Sequence, residues 1–91
     1  MLVARKFIIS GMVQGVGYRF FAQRAAARHQ VRGYVKNLAD GRVEAWAEGE
    51  EKVVEDFKQE LSAGPQFSNV EHLEEIVGEP TNLYSAFRIE R

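Results

Sequence analysis

The stretch Gly11-Met12-Val13-Gln14-Gly15-Val16-Gly17-Tyr18-Arg19 decides how this chain is read. It follows the apolar run Phe7-Ile8-Ile9 and runs into a segment with helical periodicity. Glycine lets backbone N–H groups approach a ligand closely and permits positive φ. Successive N–H groups at a helix start form an anion site. Arg19 adds a planar, forked cation that suits phosphate oxygens. The segment therefore predicts a cradle for one small, multiply charged anion. Its candidate phosphate-binding residues are Gln14, Gly15, Val16, Gly17, Tyr18 and Arg19.

Neither of two common phosphate-loop signatures fits. A dinucleotide fingerprint needs a third glycine where Phe20 stands, and a Walker loop needs a Gly-Lys pair, which the chain lacks. A second stretch gives the first its meaning. Gly33-Tyr34-Val35-Lys36-Asn37 is followed by Gly41-Arg42-Val43 and then Gly49. The block from Gly11 to Arg19 resembles one signature of the acylphosphatase family. The block from Gly33 to Gly49 resembles the other. Both match without a departure, in the same order, and together they span about a quarter of the chain.

Ninety-one residues predict a single domain, 1–91. Hydrophobic residues make up 45%, enough for a modest core. The formal net charge of -1 argues against broad nucleic-acid or membrane binding. There is no cysteine, which rules out disulfides, thiolate catalysis and cysteine metal sites. No apolar run approaches the roughly 20 residues that span a bilayer, and the N-terminus has no signal-peptide core. The expectation is a cytoplasmic monomer.

Val3 to Ser10 reads as a strand with Phe7 and Ile9 on one face. Tyr18 to His29 reads as a helix, with Tyr18, Phe21, Ala22, Ala25 and His29 in one stripe. Val31 to Asn37 and Val43 to Glu48 form a hairpin about the turn signal Asp40-Gly41, and Gly49 is read as the break after it. Val53, Val54, Phe57 and Leu61 line a second helix that ends at Gly64-Pro65. Val70 to Val77 is a fourth strand, residues 78–86 a long loop, and Phe87 to Arg91 a possible short final strand.

The order βαββαβ predicts an α+β, ferredoxin-like sandwich, an antiparallel sheet with two helices on one face. In that fold the first two strands are parallel, with the third between them. Their C-terminal ends then lie about 10 Å apart at one end of the sheet. Alternation puts Asn37 on the face of Val35, which the helices should cover. Arg19, Asn37 and the loop amides are thereby brought together.

That pocket offers donors and a cation but little acid–base equipment. His29 and His72 read as structural, Glu48-Glu50-Glu51 as a solvated helix start and Glu71-Glu74-Glu75 as an exposed strand face. A site of this kind suits a good leaving group. An acyl phosphate releases a carboxylate, whose acid has a pKa near 4, so no proton is needed from the protein. Backbone amides and Arg19 can hold the equatorial oxygens, and Asn37 can orient a water. What the resemblance implies agrees: the family hydrolyses small acyl phosphates, its phosphate-binding arginine falls on Arg19 and its water-orienting asparagine on Asn37. No metal or other cofactor is expected. Gln14 is open between bracing the loop and touching the ligand.

Two other readings compete. Tyr34 and Trp46 could imitate the stacking platform of an RNA-recognition module, but no segment matches that module's basic-Gly-aromatic motif. A domain that binds the anion without turnover is the other.

Overall fold

The apolar alternation that opens the chain becomes β1 (Leu2–Met12), and the computed structural model describes all of residues 1–91. After it come α1 (Tyr18–His29), β2 (Arg32–Asn37), β3 (Val43–Glu50), α2 (Glu51–Ala63), β4 (Asn69–Gly78) and β5 (Phe87–Glu90). The sheet order is β4-β1-β3-β2-β5. β3 pairs antiparallel with both β1 and β2, so β1 and β2 run parallel on either side of it.

Both helices cover one face. From β1 that face receives Phe7 and Ile9, from β2 Val35, and from β3 Val43, Ala45 and Ala47, all fully buried. Helix α1 contributes Tyr18, Ala22, Ala25 and Ala26. These three buried alanines have no bulk beyond Cβ, so the helix can lie close to the sheet. Phe21 and His29, expected in the same stripe, are only half-buried. Helix α2 contributes Val54, Phe57 and Leu61. The Phe57 ring meets Phe7 edge-on at 6.4 Å and Phe87 at 5.4 Å between centroids. Such pairs add about 0.5–1.5 kcal/mol beyond area burial. The two helices are joined where the Tyr18 hydroxyl donates to the Leu61 carbonyl at 2.6 Å. From the last turn of α1, both Arg28 and His29 pair with Glu60, beside Leu61.

Four expectations need correction. First, the sheet is mixed, because β5 pairs parallel with β2, from Gly33 opposite Phe87 to Lys36 opposite Glu90. β4 and β5 occupy opposite edges of the sheet. The chain leaving β4 crosses between them and returns in the reverse direction, which is the direction of β2. Second, Gly49 does not break β3. It is buried and pairs with Val3, and the strand runs on to Glu50. Third, Val31 belongs to the helix end rather than to β2, since its N–H donates to the Ala26 carbonyl at 2.9 Å.

The fourth correction concerns Glu48. It is no part of a solvated helix start but is fully buried. Its carboxylate accepts from Trp46 Nε1 at 2.6 Å, Thr81 Oγ1 at 2.7 Å, Thr81 N at 3.1 Å and Asn82 N at 3.0 Å. Burial alone would raise its pKa. The hydrogen bonds from Thr81, Trp46 and Asn82 outweigh that and hold it down at about 2. Glu48 thus ties segment 79–86 across the face opposite the helices. The same segment brings Tyr84 to 6.0 Å from the Tyr34 ring, while the Tyr34 hydroxyl donates to Glu44. Tyr34 and Trp46 do lie on the face opposite the helices, but both are engaged, and no stacking platform is left open.

Candidate active site

An ordinary helix start is satisfied by a Ser, Thr, Asp or Asn cap and an acidic first turn. Helix α1 has neither. Its N-cap is Gly17, with no side-chain cap, and no acidic residue lies in its first turn. The leading N–H groups of α1 are thus free of any side-chain acceptor, and the helix dipole adds positive potential there. Gly15 and Gly17 hold φ of 76° and 78°, in the left-handed region. A Cβ on either would meet nothing within 4 Å. The backbone angle, and not crowding, is therefore what calls for glycine at both positions.

Residues from three elements converge here. A cavity of about 170 Å³ is bordered by Val13, Gly15, Gly17, Tyr18, Arg19, Phe20 and Asn37. Arg19 enters from the first turn of α1. Asn37 enters from the last position of β2, on the face of buried Val35, as alternation requires. The two residues singled out from sequence, 18 positions apart, therefore border one cavity with the glycine loop. Larger grooves of about 580 and 690 Å³ exist. Neither includes Asn37, and only the small cavity brings Arg19, Asn37 and glycine-loop backbone together.

The remaining loop residues divide by what their side chains do. Tyr18 lends its backbone to the cavity while its ring is core, and burial raises its hydroxyl pKa. Val16 leans on the core and does not border the cavity. Gln14 does not border it either. Its side chain braces, donating from Nε2 to the Leu38 carbonyl at 2.8 Å and the Arg42 carbonyl at 2.9 Å. Those carbonyls belong to the β2–β3 turn, whose own bonds are Leu38 N to Arg42 O and Gly41 N to Leu38 O. Gln14 thereby ties the glycine loop to the turn that follows Asn37.

Sequence reasoning missed Val13 and Phe20, which border the cavity, and a further contributor from β5. Arg19 Nη1 donates to the Glu90 carbonyl at 3.3 Å, so β5 helps to aim the guanidinium. A backbone carbonyl carries no side-chain signal, and nothing in the residue types could have announced it. His29, His72 and the Glu71-Glu74-Glu75 face lie outside the cavity, and no group of three His, Cys, Asp or Glu side chains is placed to hold a metal ion.

The fold is a ferredoxin-like α+β sandwich, with a small cavity at the uncapped start of its first helix. The acylphosphatase family model matches residues 5–89, and the chain belongs to that family, whose members hydrolyse acyl phosphates. Acylphosphatase of Solibacter usitatus is 45% identical over 86 residues, covering 94% of this chain and 88% of the relative. The crystal structure of acylphosphatase from Bacillus subtilis superposes with a TM-score of 0.94 at 36% identity, covering all of both chains. Full-length HypF, in a phosphate- and nucleotide-bound crystal form, contains a similar region with a TM-score of 0.89 at 30% identity. That region covers all of this chain and 12% of HypF.

Proposed function

We propose that Arg19 and Asn37 carry the hydrolysis of small acyl phosphates to a carboxylate and inorganic phosphate. The observation that supports this most is their meeting at one cavity on the uncapped start of α1. The backbone amides of Gly15, Gly17, Tyr18 and Arg19, which border the cavity, and the Arg19 guanidinium hold the phosphoryl oxygens, where charge gathers in the transition state. The Asn37 side chain accepts and donates, so it can hold a water in line with the leaving oxygen. Water oxygen forms a bond to phosphorus while the bond from phosphorus to the acyl oxygen breaks. The electron pair leaves on the carboxylate, and a water proton passes to a phosphate oxygen. An acyl phosphate dianion and water give a carboxylate and dihydrogen phosphate, so atoms and charge balance.

The donor set is amides and one guanidinium, which suits an anion without calling on a metal ion, and we assign no cofactor. The small cavity fits a small-molecule substrate rather than a nucleic acid or a membrane surface. We further assign the chain as one domain, monomeric and cytoplasmic.

Benzoyl phosphate hydrolysis, followed by ultraviolet absorbance with EDTA present, tests the reading. Turnover by the parent and its near-loss in Asn37→Ala, with inorganic phosphate still competing for the site, is the expected result. A parent that binds phosphate but does not turn over would replace the enzyme with an anion-binding domain. A pH–rate profile with an essential protein group titrating near neutrality would overturn the proton route to phosphate.

A further inference from the structure

We infer that the ring of Phe20 is the contact for the acyl half of the substrate, and that it makes the enzyme favour flat apolar acyl groups over acetyl. The inference rests on the acyl phosphate reading of the cavity and adds what that reading leaves open. Phe20 follows Arg19 in the first turn of α1, yet it takes no part in the core and is 67% exposed. Its helix neighbours behave differently, with Tyr18 buried and Phe21 half-buried against the Tyr18 ring at 5.9 Å.

The position of Phe20 in the surface relief carries the argument. The phosphate cavity is only about 170 Å³, so a ring-sized acyl group extends beyond it while acetyl does not. Two grooves adjoin. One, of about 440 Å³, shares Arg19 and Phe20 with the cavity and continues past Gln23 and Ile89. The other, of about 690 Å³, shares Gly17 and Phe20 and continues past Phe21 and Pro65. Phe20 is the one residue common to all three. By either route the acyl group passes its ring.

An aromatic ring at that place offers a flat apolar face to whatever leaves the phosphate cradle. The carboxylate oxygen that receives the electron pair stays near the phosphorus, so the contact with the acyl body hardly changes between ground and transition state. Uniform binding of that kind lowers KM and leaves kcat alone.

The test compares benzoyl and acetyl phosphate in the parent, Phe20→Ala and Phe20→Tyr, with phenylphosphonate and inorganic phosphate as competitive inhibitors. In Phe20→Ala the KM for benzoyl phosphate should rise about 2- to 10-fold, the value of one lost aromatic contact, with kcat unchanged. Phenylphosphonate inhibition should weaken in the same ratio, while the acetyl phosphate KM and the phosphate inhibition constant stay as in the parent. Phe20→Tyr keeps the ring and should keep parental values. Equal changes for both substrates, or none for benzoyl phosphate, overturn the role of Phe20 and leave acyl phosphate hydrolysis standing. A parent inert towards both substrates overturns both conclusions.

Discussion

Glu48→Gln should cost the fold about 3 kcal/mol at pH 7, and almost nothing near pH 2. The carboxylate is fully buried and takes four donors, three of them on Oε2. An amide of the same shape carries no charge and has only one oxygen. With that oxygen facing Trp46 and Thr81, its NH₂ meets the Asn82 N–H, and that donor is left unpaired. The magnitude follows from the depressed pKa. A glutamate near 4.3 when unfolded and near 2 when folded is worth about 3 kcal/mol once both states are ionised. The folded pKa is the lower one, so this stability is present above the unfolded pKa and is lost as pH falls towards 2. By the linkage relation about half of it is gone at pH 3. Urea unfolding of parent and variant at several pH values between 2 and 7 measures the difference directly. The two stabilities should converge as pH falls. A constant gap across that range would refute the reasoning, because it would mean that Glu48 acts through packing and not through its charge.

Two further outcomes follow from the site and one from the ion pairs between the helices. Arg19→Ala should reduce turnover about 100- to 1000-fold, as loss of a strong donor at developing charge does, and should weaken phosphate inhibition with it; steady-state kinetics with phosphate as inhibitor reads both. Gln14→Ala removes two hydrogen bonds to the β2–β3 turn, each worth about 0.5–1.5 kcal/mol. It should therefore lower stability by about 1–3 kcal/mol in urea, and should lower kcat more than phosphate affinity, since the turn it braces follows Asn37. For Glu60→Gln, the loss of charge opposite Arg28 and His29 should destabilise the variant at neutral pH. Burial opposes the Glu60 shift, but its two partners lower the pKa, so its contribution fades as pH falls through the carboxylate range; thermal melts at pH 7 and pH 4 measure the difference.

Most of the geometry of the candidate site was legible because its signals are short-ranged. Gly15 and Gly17 reflect the φ of their own residues, and the start of α1 follows from the loop that precedes it. Asn37 required only strand alternation from Val35 and the topology that βαββ order imposes. The role of Gln14 was not legible. Its partners lie 24 and 28 residues away and are carbonyls, which every residue possesses. Glu48 was misread for a related reason. In the pattern Val43, Ala45, Ala47, the alternate positions face away from the helices, and a glutamate there reads as solvated.

The amino-acid order by itself determined the element sequence, the helix-covered face and the convergence of the glycine loop, Arg19 and Asn37 on one cavity. These rest on periodicity, glycine torsions and helix-start electrostatics, all of which act between near neighbours. Only the tertiary structure decided that β5 joins β2 in parallel, that its Glu90 carbonyl steadies Arg19, and that segment 79–86 seals Glu48 from water. Each of those depends on where a chain segment lands after crossing the sheet. Hydrogen bonds between residues more than thirty positions apart leave no periodic trace in the sequence, because the partners need only the right geometry and not a particular spacing.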